Sequence, residues 1–127
     1  MKKLKVGIAG YQQYKDRTMA IARGELNPAA GAPRVWFTSI ESFARVLSDK
    51  NRELLSMIAE TEPGSINELA DKTGRARSNL SRTLRTMERY GLVRFVKGAG
   101  RQLAPRVHYS DIVLDMPLKR TSRGAVG

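Results

Sequence analysis

Two helices separated by a glycine turn constrain the fold of this chain more than any other feature of its sequence. Ser65 stands three residues before Glu68, a spacing at which a hydroxyl and a carboxylate close the first turn of a helix. The apolar positions that follow predict a short helix over about 66–72, which Gly74 ends after barely two turns. A longer helix then follows at about 77–90.

The longer helix is two-sided. Leu80, Leu84 and Met87 recur at i, i+4 and i+7, which predicts one buried side. The other faces carry polar and cationic residues: Arg77, Ser78, Asn79, Ser81, Arg82, Arg85, Thr86 and Arg89. Positions 78, 82, 85 and 89 are spaced i, i+4, i+7 and i+11, so they form one ridge. A helix about 10–12 Å across fits the major groove of a DNA duplex, which is about as wide.

A hairpin is predicted directly after this helix. Residues 92–97 alternate apolar and basic side chains, residues 98–100 form a small flexible tip, and residues 107–114 contain the returning strand. Together the segments give the order of a winged helix-turn-helix. The predicted fold is therefore mainly α with a small β-hairpin wing, preceded by an N-terminal strand and helix.

The remaining segments carry weaker patterns. Capping residues are expected at Thr38 with Glu41, and at Asp49. The further elements are predicted as follows: a strand at 4–9, a helix at 11–24, a loop at 27–33, and helices at 39–48 and 50–61. We expect three parts: an N-terminal extension at 1–37 (a dimerisation or partner-binding arm), a DNA-binding domain at 38–114, and a flexible basic tail at 115–127.

The charge is concentrated in the second part of the chain. The 127 residues hold 23 basic and 12 acidic side chains, a net charge of +11. Residues 1–73 carry 11 basic and 9 acidic side chains, whereas residues 74–127 carry 12 basic and 3 acidic ones. Such an excess indicates a polyanionic partner, either nucleic acid or an acidic membrane face. With no apolar run long enough for a signal peptide or a membrane helix, we expect a cytoplasmic protein that binds no membrane.

Composition argues against catalysis. The chain has no cysteine and a single histidine, His108, so thiol chemistry and a histidine-cysteine metal site are not expected. It also lacks a paired-carboxylate pattern and a phosphate loop. The predictions are accordingly no enzymatic activity, no cofactor and no metal.

The predicted DNA contacts follow from side-chain chemistry. At the start of the longer helix, Arg77, Ser78, Asn79 and Arg82 are expected to meet base edges, since Arg pairs with guanine and Asn with adenine. The other predicted contacts, mainly to phosphates or to the minor groove, are Arg75, Ser81, Arg85, Arg89, Lys97, Arg101 and Arg106. A basic helix face taken alone is as often a solvated surface. The order of helix, turn, basic helix and basic hairpin favours DNA.

Several segments resemble a known family. SINELA at 65–70, TGR at 73–75, SNLSRTL at 78–84 and ERYGLV at 88–93 are similar to the winged-helix core of MarR-type transcriptional regulators. A closer similarity is to a group of small prokaryotic proteins related to MarR and assigned to DNA binding, through ARGE at 22–25, WFTS at 36–39, and GR and APR at 100–106. The resemblance covers about residues 4–114. It implies that 77–90 is the recognition helix and 98–106 the wing.

The resemblance also implies a homodimer, but one with a different interface from that of MarR regulators. MarR regulators dimerise through long terminal helices, next to their small-molecule pocket, and the segment after Asp115 has no pattern for such a helix. A homodimer here would use the N-terminal segment or the helix at 39–48.

The sequence therefore predicts a sequence-specific regulator of transcription that binds double-stranded DNA, most simply a repressor. An alternative is an antitoxin that neutralises a protein partner through the N-terminal segment and represses its own operon. RNA binding is disfavoured, because single-strand recognition relies on aromatic platforms and the predicted helix has few aromatic residues.

Overall fold

The computed structural model describes residues 2–24, 32–98, 100–116 and 118. Within these residues the fold is mixed α/β, with five helices, five strands and a small antiparallel hairpin. The elements are β1 (Lys2–Ile8), α1 (Tyr11–Ala22), β2 (Val35–Phe37), α2 (Ile40–Val46), α3 (Asp49–Thr61), α4 (Ile66–Thr73), α5 (Arg77–Tyr90), β3 (Arg94–Lys97), β4 (Leu103–Arg106) and β5 (Tyr109–Asp115). Across the same residues, no helix has the length and apolar character that a membrane crossing requires.

The chain divides into two compact units. Unit 1 is built on residues 45–110, and unit 2 combines residues 3–44 with those from 111 onward. The predicted loop at 27–33 falls outside the described residues at 27–31, and so does Ala99 of the predicted hairpin tip. The same holds for residue 117 and residues 119–127 of the predicted flexible tail.

Unit 2 contains a three-stranded sheet in the order β2-β1-β5. Strands β1 and β2 are parallel, and Gly7 pairs with Trp36 in their register. A Cβ at Gly7 would lie 2.5 Å from the Trp36 ring, so only glycine leaves room for the indole at this position. The guanidinium of Arg17 lies 5.2 Å from the centre of the same ring, in a cation–π contact. This three-stranded sheet was not foreseen, because its strands are distant in sequence.

Unit 1 holds three helices around an apolar core. The side chains of Ile58, Leu69 and Leu80 are fully buried. Helix α3 is capped by Ser48, whose hydroxyl accepts from the Asn51 N–H, so the prediction that Asp49 is the cap was wrong by one residue. Helix α4 is capped, as predicted, by Ser65, whose hydroxyl accepts from the Glu68 amide at 3.0 Å.

The predicted cap of α2 also needs correction. The turn before α2 is closed by Ser39 and Ser42, whose hydroxyls exchange hydrogen bonds with each other's backbone N–H, and not by Thr38 with Glu41. The serine hydroxyl one residue after Thr38 is also a good cap, and the same three-residue spacing fits it, which is why the pattern misled by one residue.

The hairpin of unit 1 returns earlier than predicted. Strand β3 pairs with β4 in antiparallel register, Phe95 opposite Pro105, so the returning strand is 103–106 and not 107–114. Proline cannot donate to a neighbouring strand, but each strand of a two-stranded hairpin has one free edge and tolerates it. Pro105 thus interrupts the residue pattern typical of a strand, although the strand itself continues through it.

Candidate nucleic-acid interface

Helix α5 turns its apolar side inward and its cationic side to solvent. Leu80, Leu84 and Met87 are completely buried, and the helix spans 77–90 as the sequence predicted. The arginine ridge, which we define as Ser78, Arg82, Arg85 and Arg89, is exposed over its whole length. Arg77 and Asn79 are exposed as well, whereas Ser81 is half-buried. The structure therefore brings together on one solvent-facing surface nearly all the α5 residues singled out from sequence.

The start of α5 has no side-chain cap. Its N-cap residue is Ala76, which offers no side-chain acceptor, and no acidic residue occupies the first turn. The first turn of a helix leaves backbone N–H groups without intrahelical partners, and the helix dipole places partial positive charge there. The α5 start therefore adds backbone donors and a positive field to the exposed Arg77, Ser78 and Asn79.

The two halves of the arginine ridge differ in how firmly they are held. Arg85 pairs with Glu88 at 3.3 Å and lies 4.9 Å from the centre of the Phe95 ring. Arg89 donates to the hydroxyl of Thr86 at 3.3 Å. Arg82 forms no ion pair with any carboxylate in the described ranges. Arg85 and Arg89 are thus oriented by neighbouring side chains, and Glu88 partly offsets the charge of Arg85. No carboxylate in the described ranges offsets the charge of Arg82.

The turn between α4 and α5 is fixed by local hydrogen bonds. Gly74 adopts a left-handed φ of 72°, and its N–H donates to Ala70 O. The Thr73 hydroxyl donates to Leu69 O at 2.9 Å and accepts from the Arg75 amide at 3.2 Å. These bonds set the position from which α5 departs and hold the half-buried Arg75 beside its first turn.

The hairpin tip carries two exposed cations, Lys97 and Arg101. The Gly98 amide donates to Gln102 O at 2.8 Å and closes the tip. A Cβ on Gly98 would lie 2.3 Å from the carbonyl oxygen of Gly64, so the hairpin packs closely on the segment between α3 and α4. That contact fixes the base of the tip.

Arg106 differs from the other predicted contacts. Its Nη1 donates to the carbonyl oxygens of Pro63 and Pro105, each at 2.7 Å, and its Nε lies 3.5 Å from Glu62 Oε2. Only 19% of the side chain is exposed. Because its donors face the protein interior, Arg106 holds the hairpin to the end of α3, and we leave it out of the proposed interface.

Sequence reasoning missed a groove beside α5. An open cavity of about 650 Å³ lies between α3, the end of α4 and the start of α5. Lys50 and Lys72 line it together with the predicted residues Arg75, Asn79 and Arg82. Isolated lysines on two separate helices give no sequence signal, since only the packing of α3 against α4 and α5 brings them near the arginines.

His108 is exposed, and no group of three or more His, Cys, Asp or Glu side chains among the described residues is arranged to hold a metal ion.

The comparisons with known proteins concern unit 1 above all. The family model HVO_A0114 matches residues 46–114, a segment that runs from the end of α2 into β5 and includes α5 and the hairpin. No curated protein and no solved structure matches the chain. Because the matched segment is more than half of the 127 residues, the chain belongs to the HVO_A0114 family.

Proposed function

We propose that unit 1 is a MarR-like winged helix-turn-helix that binds double-stranded DNA. In this proposal α4 and α5 form the helix-turn-helix, α5 is the recognition helix in the major groove, and the β3–β4 hairpin is the wing. The observation that carries the proposal is the polarity of α5, whose Leu80, Leu84 and Met87 are fully buried while the arginine ridge faces solvent. A recognition helix needs that arrangement.

Contacts are assigned by position and freedom of movement. Arg77, Ser78, Asn79 and Arg82 lie near the start of α5 and are exposed, which suits contacts with base edges. The other proposed contacts, to the DNA backbone, come from Arg75, Ser81, Arg85, Arg89, Lys97 and Arg101. Arg85 and Arg89 suit this role because neighbouring side chains already orient them.

The local charge supports a backbone contribution to affinity. From Gly74 to Gln102 the chain has eight basic residues and one acidic residue, Glu88. Neutralising phosphates with such a surface releases counterions, so binding should weaken steeply as salt rises.

The proposed cellular role is a cytoplasmic repressor that acts by occluding a promoter. As a homodimer it would read two half-sites spaced by one helical turn of DNA or a multiple of it.

The test is binding of the full chain to its own upstream DNA, followed by fluorescence anisotropy. Replacing Arg82 with alanine should cost about 1–3 kcal/mol if the guanidinium grips a base, and specificity at one position should relax. The matched control is Arg52→Ala, which also removes one arginine but from α3, where Arg52 pairs with Asp49. If Arg82→Ala binds its operator as tightly as the wild-type protein does, the recognition role of α5 is refuted.

The proposed wing has a separate signature. Arg101→Ala should weaken binding to all DNA sequences alike and lower the slope of log affinity against log salt by about 1. An unchanged slope would exclude a phosphate contact at the tip. Duplex RNA as a competitor distinguishes DNA from RNA as the ligand, and equal competition would contradict the proposal.

A further inference from the structure

The groove beside α5 has the size and lining of a small-molecule site. Its volume of about 650 Å³ lies within the roughly 300–1,000 Å³ of typical ligand pockets. Met57 on α3 is half-buried and supplies an apolar surface, with the buried Leu54 behind it. Asn79 and Thr83 supply polar groups from α5. A ligand in this groove would thus meet both apolar and hydrogen-bonding surfaces.

The charges around the groove favour an anion with more than one negative charge. Four cations line it, Lys50, Lys72, Arg75 and Arg82, against one carboxylate, Glu53. Lys72 already lies 3.6 Å from Glu68, outside the lining. The other three cations form no ion pair with a carboxylate in the part of the chain that the structure describes.

We propose that this groove binds a phosphorylated small molecule. A phosphate ester carries a charge of about −1.5 to −2 at pH 7 and three acceptor oxygens, which match three unpaired cations better than a single carboxylate would. The phosphate would lie among Lys50, Arg75 and Arg82, and the rest of the molecule would contact Met57. The uncapped first turn of α5 borders the groove through Ala76 and Asn79 and adds to the positive field.

The apolar side of the groove separates a small molecule from a DNA phosphate. A DNA phosphate is a charged group that gains nothing from the apolar side chain of Met57 in the groove. A phosphate ester with an apolar body uses both surfaces.

A regulatory consequence rests on the proposed function. Arg75, Asn79 and Arg82 line the groove and also belong to the proposed DNA interface. A ligand that engages these side chains competes with DNA, so the phosphorylated molecule would release the operator.

The site itself is tested without DNA. Full-length protein is titrated with phenyl phosphate and, separately, with inorganic phosphate at constant ionic strength, and backbone amide shifts are followed by NMR. We expect saturable shifts at residues 75–79 and around Lys50, with phenyl phosphate binding about tenfold more tightly because its ring covers apolar surface. Shifts that sodium chloride reproduces, or equal affinities for the two phosphates, would overturn the proposal.

Matched variants on α3 make the test specific. Lys50→Ala removes a groove cation and should weaken phenyl phosphate binding about three- to fivefold. Arg52→Ala removes a cation from the same helix outside the groove and should leave binding unchanged. Equal affinities of Lys50→Ala and wild type, with a dispersed spectrum that proves the variant folded, would count against the site, and Arg75→Gln provides a second probe of the groove.

A DNA experiment separates the two proposals. Phenyl phosphate should displace operator DNA from the wild-type protein beyond the effect of matched chloride, and less so from Lys50→Ala, because Lys50 lies outside the proposed DNA interface. Saturable phosphate binding without any DNA binding upholds the site and refutes the proposed function. DNA binding that phenyl phosphate does not displace refutes the competition.

Discussion

Arg82 of helix α5 and Arg106 of the β3–β4 hairpin both lie in the basic part of the chain, yet their guanidinium groups are used in opposite ways. On α5, Arg82 is exposed and forms no ion pair with a carboxylate among the described residues. In the hairpin, Arg106 is 19% exposed and bonds to two carbonyl oxygens. Both residues count equally in the net charge of +11. Only the first is available to a partner.

The difference arises at the end of α3. Glu62 ends that helix in a left-handed conformation with φ of 44°, and Pro63 follows it. The chain turns there with the Pro63 carbonyl oxygen in a buried region, and a buried acceptor without a donor is costly. Arg106 supplies the donor and also lies beside the Glu62 carboxylate. A charge count therefore overstates a binding surface wherever a turn leaves a carbonyl that an arginine can satisfy.

The largest expected effect on stability comes from Gly98→Ala in the hairpin. Its Cβ would lie 2.3 Å from a backbone oxygen, that of Gly64, so the hairpin must shift, at a cost of about 3 kcal/mol in the free energy of unfolding. Urea denaturation measures this cost. Gly10→Ala is the control, because its Cβ meets nothing within 4 Å; since Gly10 is the N-cap of α1, the cost should be no more than about 1 kcal/mol. A stable Gly98→Ala variant would show that the hairpin is not held against that segment.

A paired substitution sharpens the comparison between the two arginines. Arg106→Met keeps the apolar stem but removes the donor to Pro63 O, and should lower the free energy of unfolding by about 2 kcal/mol. Arg82→Met should change it by no more than about 0.5 kcal/mol, since Arg82 is exposed. Thermal or urea unfolding of both variants measures these differences. Equal losses in the free energy of unfolding would mean that the two arginines do not differ in their structural role.

The smallest expected effect on stability concerns the hydrogen bond between Leu92, just after α5, and Tyr109, just after the hairpin. The Tyr109 phenol donates to Leu92 O at 2.7 Å, and burial raises the pKa of that phenol above its ordinary value. Tyr109→Phe should cost about 1 kcal/mol at neutral pH. Because the folded-state pKa is raised, the tyrosine contributes stability below about pH 10 and loses it as the pH rises further. The gap between wild type and variant should therefore narrow above that pH, and a constant gap would contradict the assignment.

Patterns confined to one helix were predicted better than pairings between segments, although the caps of α2 and α3 were each placed one residue away from the true position. The bounds of α5 and the Ser65 cap of α4 were correct because periodicity and capping act within a few residues. The return of the hairpin was placed too late, since Pro105 hid a strand whose partner lies ten residues earlier. Strands were predicted at 4–9 and within 107–114, where β1 and β5 lie, but no local signal indicated that the two share a sheet.

The candidate site divides in the same way. The arginine ridge follows from spacing along one helix, and its exposure matches the prediction. The inward position of Arg106 depends on Pro63, 43 residues earlier in the chain, and the lysines of the groove depend on helix packing. Neither can be read from neighbouring residues.

The bare start of α5 has a consequence for thermostability. Helices α3 and α4 are each capped by a serine whose hydroxyl accepts from a backbone amide, whereas the N-cap of α5 is Ala76. A capping side chain there is worth about 1 kcal/mol, so the protein forgoes heat resistance that one substitution could restore. A serine or aspartate installed at position 76 by an engineer would occupy the amides that an incoming anion needs. At position 76, a gain in thermal stability would therefore come at the expense of anion binding by the first turn of α5.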